Sequence, residues 1–335
     1  MTHQSPPPEK HDLFSPTFKA DPFPTFATMR ANEPVYCHVA PYGARIWYIT
    51  RYEDVLEVLK DNTRFAKDPR NVDDEQAAVS LSNKNIFQNI NQNMLFADPP
   101  DHTRLRTLVS QAFTPRRVEV IRPRIQAIAH DLLDRIEAQG MMDLIADYAF
   151  PLPVTVIMEM LGVPAADQEQ VHDWSKVIIA PGRYGISLKI RKRKIRAFVN
   201  YLHAMFADRR HNPQDDLITD LVQAEESGDT LSESELSSMV ALLFVTGHET
   251  VVNLIGNGTL ALLQHPAELE KLKQNPDLID RTIEELLRYD GPVETSTTRW
   301  AREDMVLHGQ TIRKGDVVRV VMTSANRDAA VFEEP

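Results

Sequence analysis

A group of polar residues interrupts one of the most apolar stretches of this chain. Residues 246–250 read Thr-Gly-His-Glu-Thr, with MVALLFV shortly before them and GTLALL a few residues after. Buried polar side chains cost free energy unless each finds a partner, and an ionised carboxylate costs most. Because residues three and four apart share one face of a helix, Thr246, Gly247 and Thr250 are predicted to lie together. A glycine there lets a ligand approach the backbone, and Glu249 beside Thr250 forms an acid and hydroxyl pair that can relay protons.

Two other interpretations of the same residues have to be weighed. His248 and Glu249 open the helical zinc motif of hydrolases, which needs a second histidine four residues after the first. Val252 occupies that position, so no zinc site is predicted here. The structural alternative is a helix kink, in which Gly247 weakens the helix and a threonine bonds back to a carbonyl one turn earlier. Taken alone, the segment favours function and kink equally.

Three further patterns place groups that could bind anions or stabilise the fold. His102 and Arg106 in DHTRLR are four residues apart on a predicted helix, so both side chains point the same way. Glu285 and Arg288 in EELLR form a helical ion pair, and Arg299 stands in the strand-like TSTTRWA. Taken alone, His102 and Arg106 are better explained by an ordinary solvated face paired with Asp98 or Asp101. The other two patterns are commonplace by themselves.

The elements that must position these residues are mostly helical. Apolar periodicity predicts helices over residues 21–33, 51–62, 115–138, 143–160, 167–180, 187–211, 214–226, 232–265, 266–273 and 277–290, and another beginning at DHTRLR. A capping box of Ser232 and Glu235 opens the helix over 232–265, whose ~30 residues would extend about 45–50 Å. Alternation predicts a β-hairpin over 35–50 and strands near the C-terminal end, and a polar loop is predicted over 68–93.

Composition excludes several classes of protein. The chain has 335 residues, 42% apolar and 25% charged, and a formal net charge of -11, which is typical of a soluble globular protein and disfavours a general nucleic-acid binder. The basic cluster LKIRKRKIRAF lacks interleaved aromatic residues and is predicted to be a solvated helix face. Cys37 is the single cysteine, so neither disulfides nor a cysteine-rich zinc site is expected, and a cytoplasmic location fits best. Without an apolar run approaching ~20 residues, no membrane association is predicted.

In combination the patterns are far more specific than each alone. DHTRLR, TGHET in a long helix, EELLR, TTRWA and SANRD follow one another in this order and resemble the cytochromes P-450, the haem-thiolate monooxygenases, most closely the soluble bacterial type. The resemblance covers essentially the whole chain. It implies a mainly α fold, with a large helical domain and small β-sheets near the N-terminus and the C-terminal end. It also implies a single haem domain over 21–335, and the polar, proline-rich N-terminus predicts a flexible tail over 1–20.

The resemblance assigns roles to the residues around the cofactor, haem b. His102, Arg106 and Arg299 would bind the haem propionates. Gly247 would leave room for dioxygen on the distal side of the haem.

Other residues would serve catalysis, structure and substrate binding. Glu249 and Thr250 would be catalytic and deliver protons during dioxygen cleavage. Glu285 and Arg288 would form a buried structural pair behind the haem. Substrate would contact the segments 68–96, 172–188 and 293–297.

One departure from the family's pattern concerns the iron ligand. The axial ligand of the family is a cysteine in a glycine-rich loop that the 335 residues do not contain, so we expect this haem domain to be incomplete at its C-terminus and predict no metal ligand in this chain. Cys37 cannot replace that ligand because it belongs to the N-terminal hairpin. The thiolate favours O–O cleavage, so the missing loop bears directly on activity.

The implied activity is insertion of one oxygen atom from O2 into a small or medium organic substrate. No flavin or nicotinamide fingerprint occurs, so electrons would come from a ferredoxin- or flavodoxin-type partner or from a fused NAD(P)H-dependent reductase. Two alternatives stay open: a peroxide-driven or non-oxygenating haem enzyme of the same fold, and a haem-free helical binding protein.

Overall fold

The computed structural model describes residues 10–40, 43–72, 92–179, 187–226 and 228–335. The α-helices are α1 (Pro16–Ala20), α2 (Phe23–Asn32), α3 (Tyr52–Lys60), α4 (Asp101–Ala112), α5 (Pro115–Glu137), α6 (Pro151–Met160), α7 (Gln168–Ile179), α8 (Leu188–His211), α9 (Leu217–Gln223), α10 (Glu233–Gln264), α11 (Pro266–Gln274), α12 (Ile279–Asp290) and α13 (Met322–Ala325). The strands are β1 (Val35–Val39), β2 (Arg45–Ile49), β3 (Phe65–Ala66), β4 (Glu225–Glu226), β5 (Asp229–Thr230), β6 (Arg299–Ala301), β7 (Met305–Leu307), β8 (Gln310–Ile312) and β9 (Val317–Val320).

The chain forms two compact units, one of residues 1–83 and 261–335 and the other of residues 84–260. The first unit contains a five-stranded sheet in the order β1-β2-β9-β6-β3. β1 and β2 form the predicted antiparallel hairpin, with Val35 opposite Ile49, and β2 pairs with β9 in parallel. Strands from both ends of the chain therefore share one sheet, where the sequence predicted separate small sheets.

The second unit is a helical core built around the first half of α10. Met239, Val240 and Phe244 of this helix are almost completely buried. They belong to one apolar cluster with residues of α4, α6, α8 and α9. The burial of this face of α10 explains why MVALLFV is so apolar. The residues on the opposite face of the helix are the ones left open.

Most predicted helices are confirmed, and the exceptions have local causes. The predicted helix 143–160 is divided into a π-helix at Leu144–Ala149 and α6, which begins at Pro151. The predicted helix 214–226 ends at Gln223, and β4 begins at Glu225. The N-cap of α4 is Pro100, which makes no side-chain cap.

The predicted flexible tail over 1–20 was too long. α1 lies inside that range, and its Phe18 is 7% exposed and packs edge-on against Phe26 with ring centroids 5.4 Å apart. Residues 1–9 lie outside the described part. Residues 73–91 of the predicted polar loop also lie outside the described part. The described residues on either side include 3-10 turns at Pro69–Asn71 and Met94–Phe96.

α10 bears on the prediction that no segment could cross a membrane. Among the described residues it is the one helix long and apolar enough to do so on length and composition. Its mean hydropathy is high even though the helix includes polar residues such as His248 and Glu249. Core helices of soluble proteins meet the same condition, so this finding is weak evidence for a membrane.

Candidate functional site

The capping box at the start of α10 forms as predicted. Ser232 Oγ accepts from the Glu235 backbone N–H at 3.3 Å, and Glu235 Oε2 accepts from the Ser232 N–H at 2.8 Å. Burial opposes ionisation of Glu235, but the hydrogen bonds from Ser232 and Arg104 outweigh it and lower the pKa of its carboxyl. These reciprocal bonds therefore fix the residue at which the long helix begins.

The polar segment of α10 faces outward as its spacing predicts. Thr246 and Gly247 are exposed, and Glu249 and Thr250 are partly exposed. His248 lies on the opposite side and is 2% exposed. The helix thus presents the acid and the hydroxyls on an open face and directs the imidazole into the core.

Both threonine hydroxyls of this face donate to carbonyl oxygens one turn earlier. Thr246 Oγ1 donates to the carbonyl of Leu242 at 2.8 Å, and Thr250 Oγ1 donates to the carbonyl of Thr246 at 2.8 Å. Such bonds orient the hydroxyls and bend a helix slightly. The kink interpretation and the functional interpretation are therefore compatible at this segment.

Gly247 has a packing role that the sequence did not predict. A Cβ at this position would lie 3.2 Å from Cδ1 of Ile157 in α6, closer than ordinary van der Waals contact. The glycine therefore lets α6 approach α10. Its role in leaving room for dioxygen stays a prediction.

α4 presents His102 and Arg106, the two predicted anion-binding side chains, on one open face. His102, Thr103, Arg106 and Thr107 line a depression of about 490 Å³, together with Ser110 and Gln111. The opposite face of the helix is buried at Leu105, Leu108, Val109 and Ala112. Within the described ranges Arg106 makes no ion pair, so the alternative of a charge neutralised by a neighbouring aspartate is not observed for this residue.

Arg104 was missed at the level of the sequence and anchors α4. Its guanidinium binds Glu235, the capping-box residue of α10, and also approaches Oδ2 of Asp229 at 3.4 Å. It lies two residues from His102 and Arg106, on the other side of the helix, so one side of α4 is fixed while the cationic side stays open. The available signal in DHTRLR was the spacing of Arg104, two residues from both His102 and Arg106, which places it on the opposite face of the helix.

Arg299 is placed in the other compact unit. It is 6% exposed on β6 opposite Val318, and its Nη1 donates to the Thr297 carbonyl at 3.3 Å. Its contribution to the same anion site as His102 and Arg106 stays a prediction.

The predicted ion pair of α12 forms, but it is only half buried. Arg288 donates twice to Glu285, at 2.8 and 2.6 Å, and once to the Asn326 carbonyl at 2.8 Å. The Arg288 side chain is 14% exposed, whereas that of Glu285 is 57% exposed. The prediction of a buried pair is therefore wrong for Glu285, because its face of α12 borders an open cavity of about 800 Å³. The bond from Arg288 lowers the pKa of the Glu285 carboxyl.

Over the described ranges, no three His, Cys, Asp or Glu side chains cluster as metal ligands would. Cys37 lies in β1, and burial raises the pKa of its thiol, which disfavours the nucleophilic thiolate. The neighbouring His38 alternates to the other face of the strand and packs against Phe14.

Comparison with known proteins identifies the family. The family model for cytochrome P450 matches residues 157–335. The polyketide biosynthesis cytochrome P450 PksS of Bacillus subtilis is 43% identical over 321 residues, which are 95% of this chain and 78% of the relative. The chain belongs to the cytochrome P450 family.

Solved structures support the same assignment for the P450 fold. The structure of PksS matches with a TM-score of 0.88 and 42% identity, and covers 95% of this chain and 79% of its own. A myxobacterial P450, CYP267B1, solved in complex with myristic acid, matches with a TM-score of 0.85 and 44% identity over 96% of this chain and 79% of its own. This P450 is therefore a mainly helical, haem-dependent monooxygenase of organic substrates, an oxidoreductase.

The residues of the helical unit fit the cofactor of the family, haem b. The open, cationic face of α4 suits the carboxylates of haem propionates, because histidine and arginine both donate hydrogen bonds and arginine binds carboxylates bidentately. The acid and hydroxyls of α10 suit the polar side of the site where oxygen reacts.

Proposed function

We propose that this P450 inserts an oxygen atom into its substrate with Glu249 and Thr250 as the proton-delivering residues. Haem b, when bound, supplies the iron at which dioxygen is reduced. The observation that carries the proposal is the Thr250 hydroxyl, which lies on the open face of α10 and donates at 2.8 Å to the Thr246 carbonyl. That bond holds the Oγ1 proton in one place until the hydroxyl rotates toward a stronger acceptor. Glu249, next in the chain, can return the proton.

The cofactor is held, in this proposal, by His102 and Arg106 of α4 through its propionates, with Arg299 as a third donor. Gly247 leaves room for dioxygen on the same face as Thr246 and Thr250. The open depression along α4 supports this assignment, as does Arg106, which makes no ion pair with any residue that the structure describes. The proposed haem domain comprises residues 21–335 of this chain, of which the family model covers the larger part.

The names of the relatives support a class of substrate, and the family's need for external electrons supports a redox partner. PksS is named for polyketide biosynthesis, and the CYP267B1 structure contains myristic acid. We propose a medium-sized, largely apolar organic substrate, with electrons from a ferredoxin-type partner. The bacterial relatives and the free thiol of Cys37 support a cytoplasmic location.

Two measurements on the haem-loaded full-length protein test the proposal against its alternatives. The carbon monoxide spectrum of the reduced protein should have the red-shifted band of thiolate-ligated haem, and a protein without haem would give no band. Myristic acid should then be oxidised faster with O2, ferredoxin and ferredoxin reductase than with hydrogen peroxide. Faster turnover with peroxide would favour the peroxide-driven alternative and contradict a proton-delivery role.

A further inference from the structure

His248 is a buried polar residue that the proposed reaction does not use. Its ring is 2% exposed, and Nδ1 lies 2.6 Å from the carbonyl oxygen of Phe244, one turn earlier in α10. A carbonyl only accepts, so Nδ1 must carry the proton of the neutral ring. Burial lowers the pKa of His248, which favours that neutral form.

This bond completes a series of three along the catalytic segment. Side chains at Thr246, His248 and Thr250 donate to the carbonyls of Leu242, Phe244 and Thr246, respectively. The threonine bonds lie on the open face and the histidine bond on the buried face. Side-chain donors to helix carbonyls often bend helices, so the local backbone geometry of this segment depends on donors on both faces.

The His248 ring also ends a column of rings that reaches another helix. It packs against Phe244 with centroids 4.9 Å apart and stands edge-on to Phe150, the residue before α6, at 6.2 Å and 85°. Phe150 in turn contacts His172 of α7 at 4.9 Å. His172 begins the segment 172–188, which the resemblance to the family assigns to substrate contact.

We propose that His248 is a positioning residue that couples α7 to Glu249 and Thr250. A shift of α7 when substrate binds reaches α10 through His172, Phe150 and the imidazole. The bond from Nδ1 to the Phe244 carbonyl transmits that shift to the backbone of α10. The backbone in turn sets the positions of Glu249 and Thr250. This inference rests on the proposed function of Glu249 and Thr250 and adds the means by which substrate sets their geometry.

A simple filler of the core would behave differently from a positioning residue. Phenylalanine fills nearly the same volume without a polar atom, so as a filler it would leave the protein equally stable and equally active. Asparagine keeps a side-chain donor without the ring, and Asn32 in α2 already bonds the Thr28 carbonyl one turn earlier at 3.1 Å. These two substitutions separate the bond from the ring.

The experiment compares His248→Phe, His248→Asn and Phe150→Leu with the wild type in the haem-loaded full-length protein, with myristic acid as the probe. The readouts are the hydrogen peroxide formed per electron pair consumed, the spectral shift on binding myristic acid and amide hydrogen exchange over 244–250. His248→Phe should raise the peroxide fraction severalfold and accelerate exchange over 244–250 without lowering the melting temperature. His248→Asn should restore slow exchange there.

The coupling through the rings has its own test. In the wild type, myristic acid should slow amide exchange over 244–250, and Phe150→Leu should abolish this slowing. The double variant with His248→Phe should respond to myristic acid in the same way as Phe150→Leu alone. If His248→Phe shows the wild-type exchange rate over 244–250 and the wild-type peroxide fraction, the positioning role is wrong. If the effects of Phe150→Leu and His248→Phe on exchange are strictly additive, the coupling through the rings is wrong. If Thr250→Ala leaves the peroxide fraction unchanged while exchange still rises in His248→Phe, the proton role fails and the positioning role stands.

Discussion

The hydroxyl of Thr250 donates to the carbonyl oxygen of Thr246, a residue on the same open face of the long helix, at 2.8 Å. The hydroxyl of Thr246 makes the equivalent bond to Leu242. The open face of α10 therefore carries two hydroxyls whose protons are directed at backbone carbonyl oxygens.

Loss of Arg106 should weaken haem binding while leaving the fold intact. Its guanidinium makes no ion pair within the described part of the chain, so Arg106→Ala removes a propionate donor and little else. A charge-assisted hydrogen bond is worth about 1.5–3 kcal/mol, so haem affinity should fall by about tenfold or more. The ratio of haem to protein after dialysis against apomyoglobin measures the effect.

Arg116→Ala is the matched control for that prediction, because Arg116 is another exposed arginine near the start of a helix. It should retain haem like the wild type. Equal haem loss from both variants would contradict a propionate site on α4.

The two members of the α12 ion pair should contribute unequally to stability. Arg288→Ala removes a largely buried donor to the Asn326 carbonyl and should lower the free energy of unfolding by about 1–3 kcal/mol. Glu285→Gln affects an exposed carboxylate and should cost only about 0–1 kcal/mol. Urea unfolding measures both, and equal effects would refute the half-buried geometry.

The contribution of Glu285 should depend on pH in a defined direction. Arg288 holds the pKa of this carboxyl below its ordinary value, so the unfolded state binds a proton more readily than the folded state. The stabilisation is present above the ordinary carboxyl pKa of about 4.3 and is lost as pH falls through the folded value. The difference between wild type and Glu285→Gln should therefore shrink on acidification, and a difference that grows would be the wrong sign.

Gly162 should tolerate no side chain. It has a φ of +72°, and a Cβ there would lie 2.1 Å from Oδ2 of Asp216, a carboxylate that also caps α9 and binds Arg209 at 2.6 Å. Gly162→Ala should destabilise the protein by more than about 2 kcal/mol or prevent folding. Gly140→Ala is the control, since Gly140 has a φ of +66° with open space around it, and should cost about 1 kcal/mol. Similar melting temperatures for the two variants would exclude the clash.

Protonation of His248 should destabilise the fold below neutral pH. Burial lowers its pKa in the folded state, so between that value and its ordinary value of about 6.5 the unfolded state binds the extra proton. The free energy of unfolding should therefore fall as pH drops through this window. His248→Phe should flatten the fall, and an unchanged pH profile would mean that the ring is accessible to protons.

Local patterns predicted the parts of this structure that local forces decide. The capping box and apolar period of α10 fix its start, its buried face and the outward direction of Thr246 and Thr250. The alternation of β1 and β2 likewise predicts their hairpin. Each depends on neighbours within a few residues.

Long-range features were not predictable in the same way. The parallel pairing of β2 with β9 joins residues about 270 positions apart, and no local pattern encodes it. The short β4–β5 hairpin follows a helical pattern without a break in periodicity, and the exposure of Glu285 depends on which segments cover α12. Arg104, which anchors α4 to α10, had no signal beyond its place in DHTRLR.

The most direct test of the central claim is the fate of oxygen in Thr250→Ala, measured in the haem-loaded full-length protein with ferredoxin, ferredoxin reductase and myristic acid. The control is Thr28→Ala, because Thr28 is an exposed residue of α2 that makes the same bond to a carbonyl one turn earlier, at 3.0 Å. If Thr250 delivers protons, its variant should consume electrons at a similar rate but release most of them as hydrogen peroxide, while Thr28→Ala behaves like the wild type. A Thr250→Ala variant that forms hydroxylated product with wild-type yield per electron pair would contradict the account.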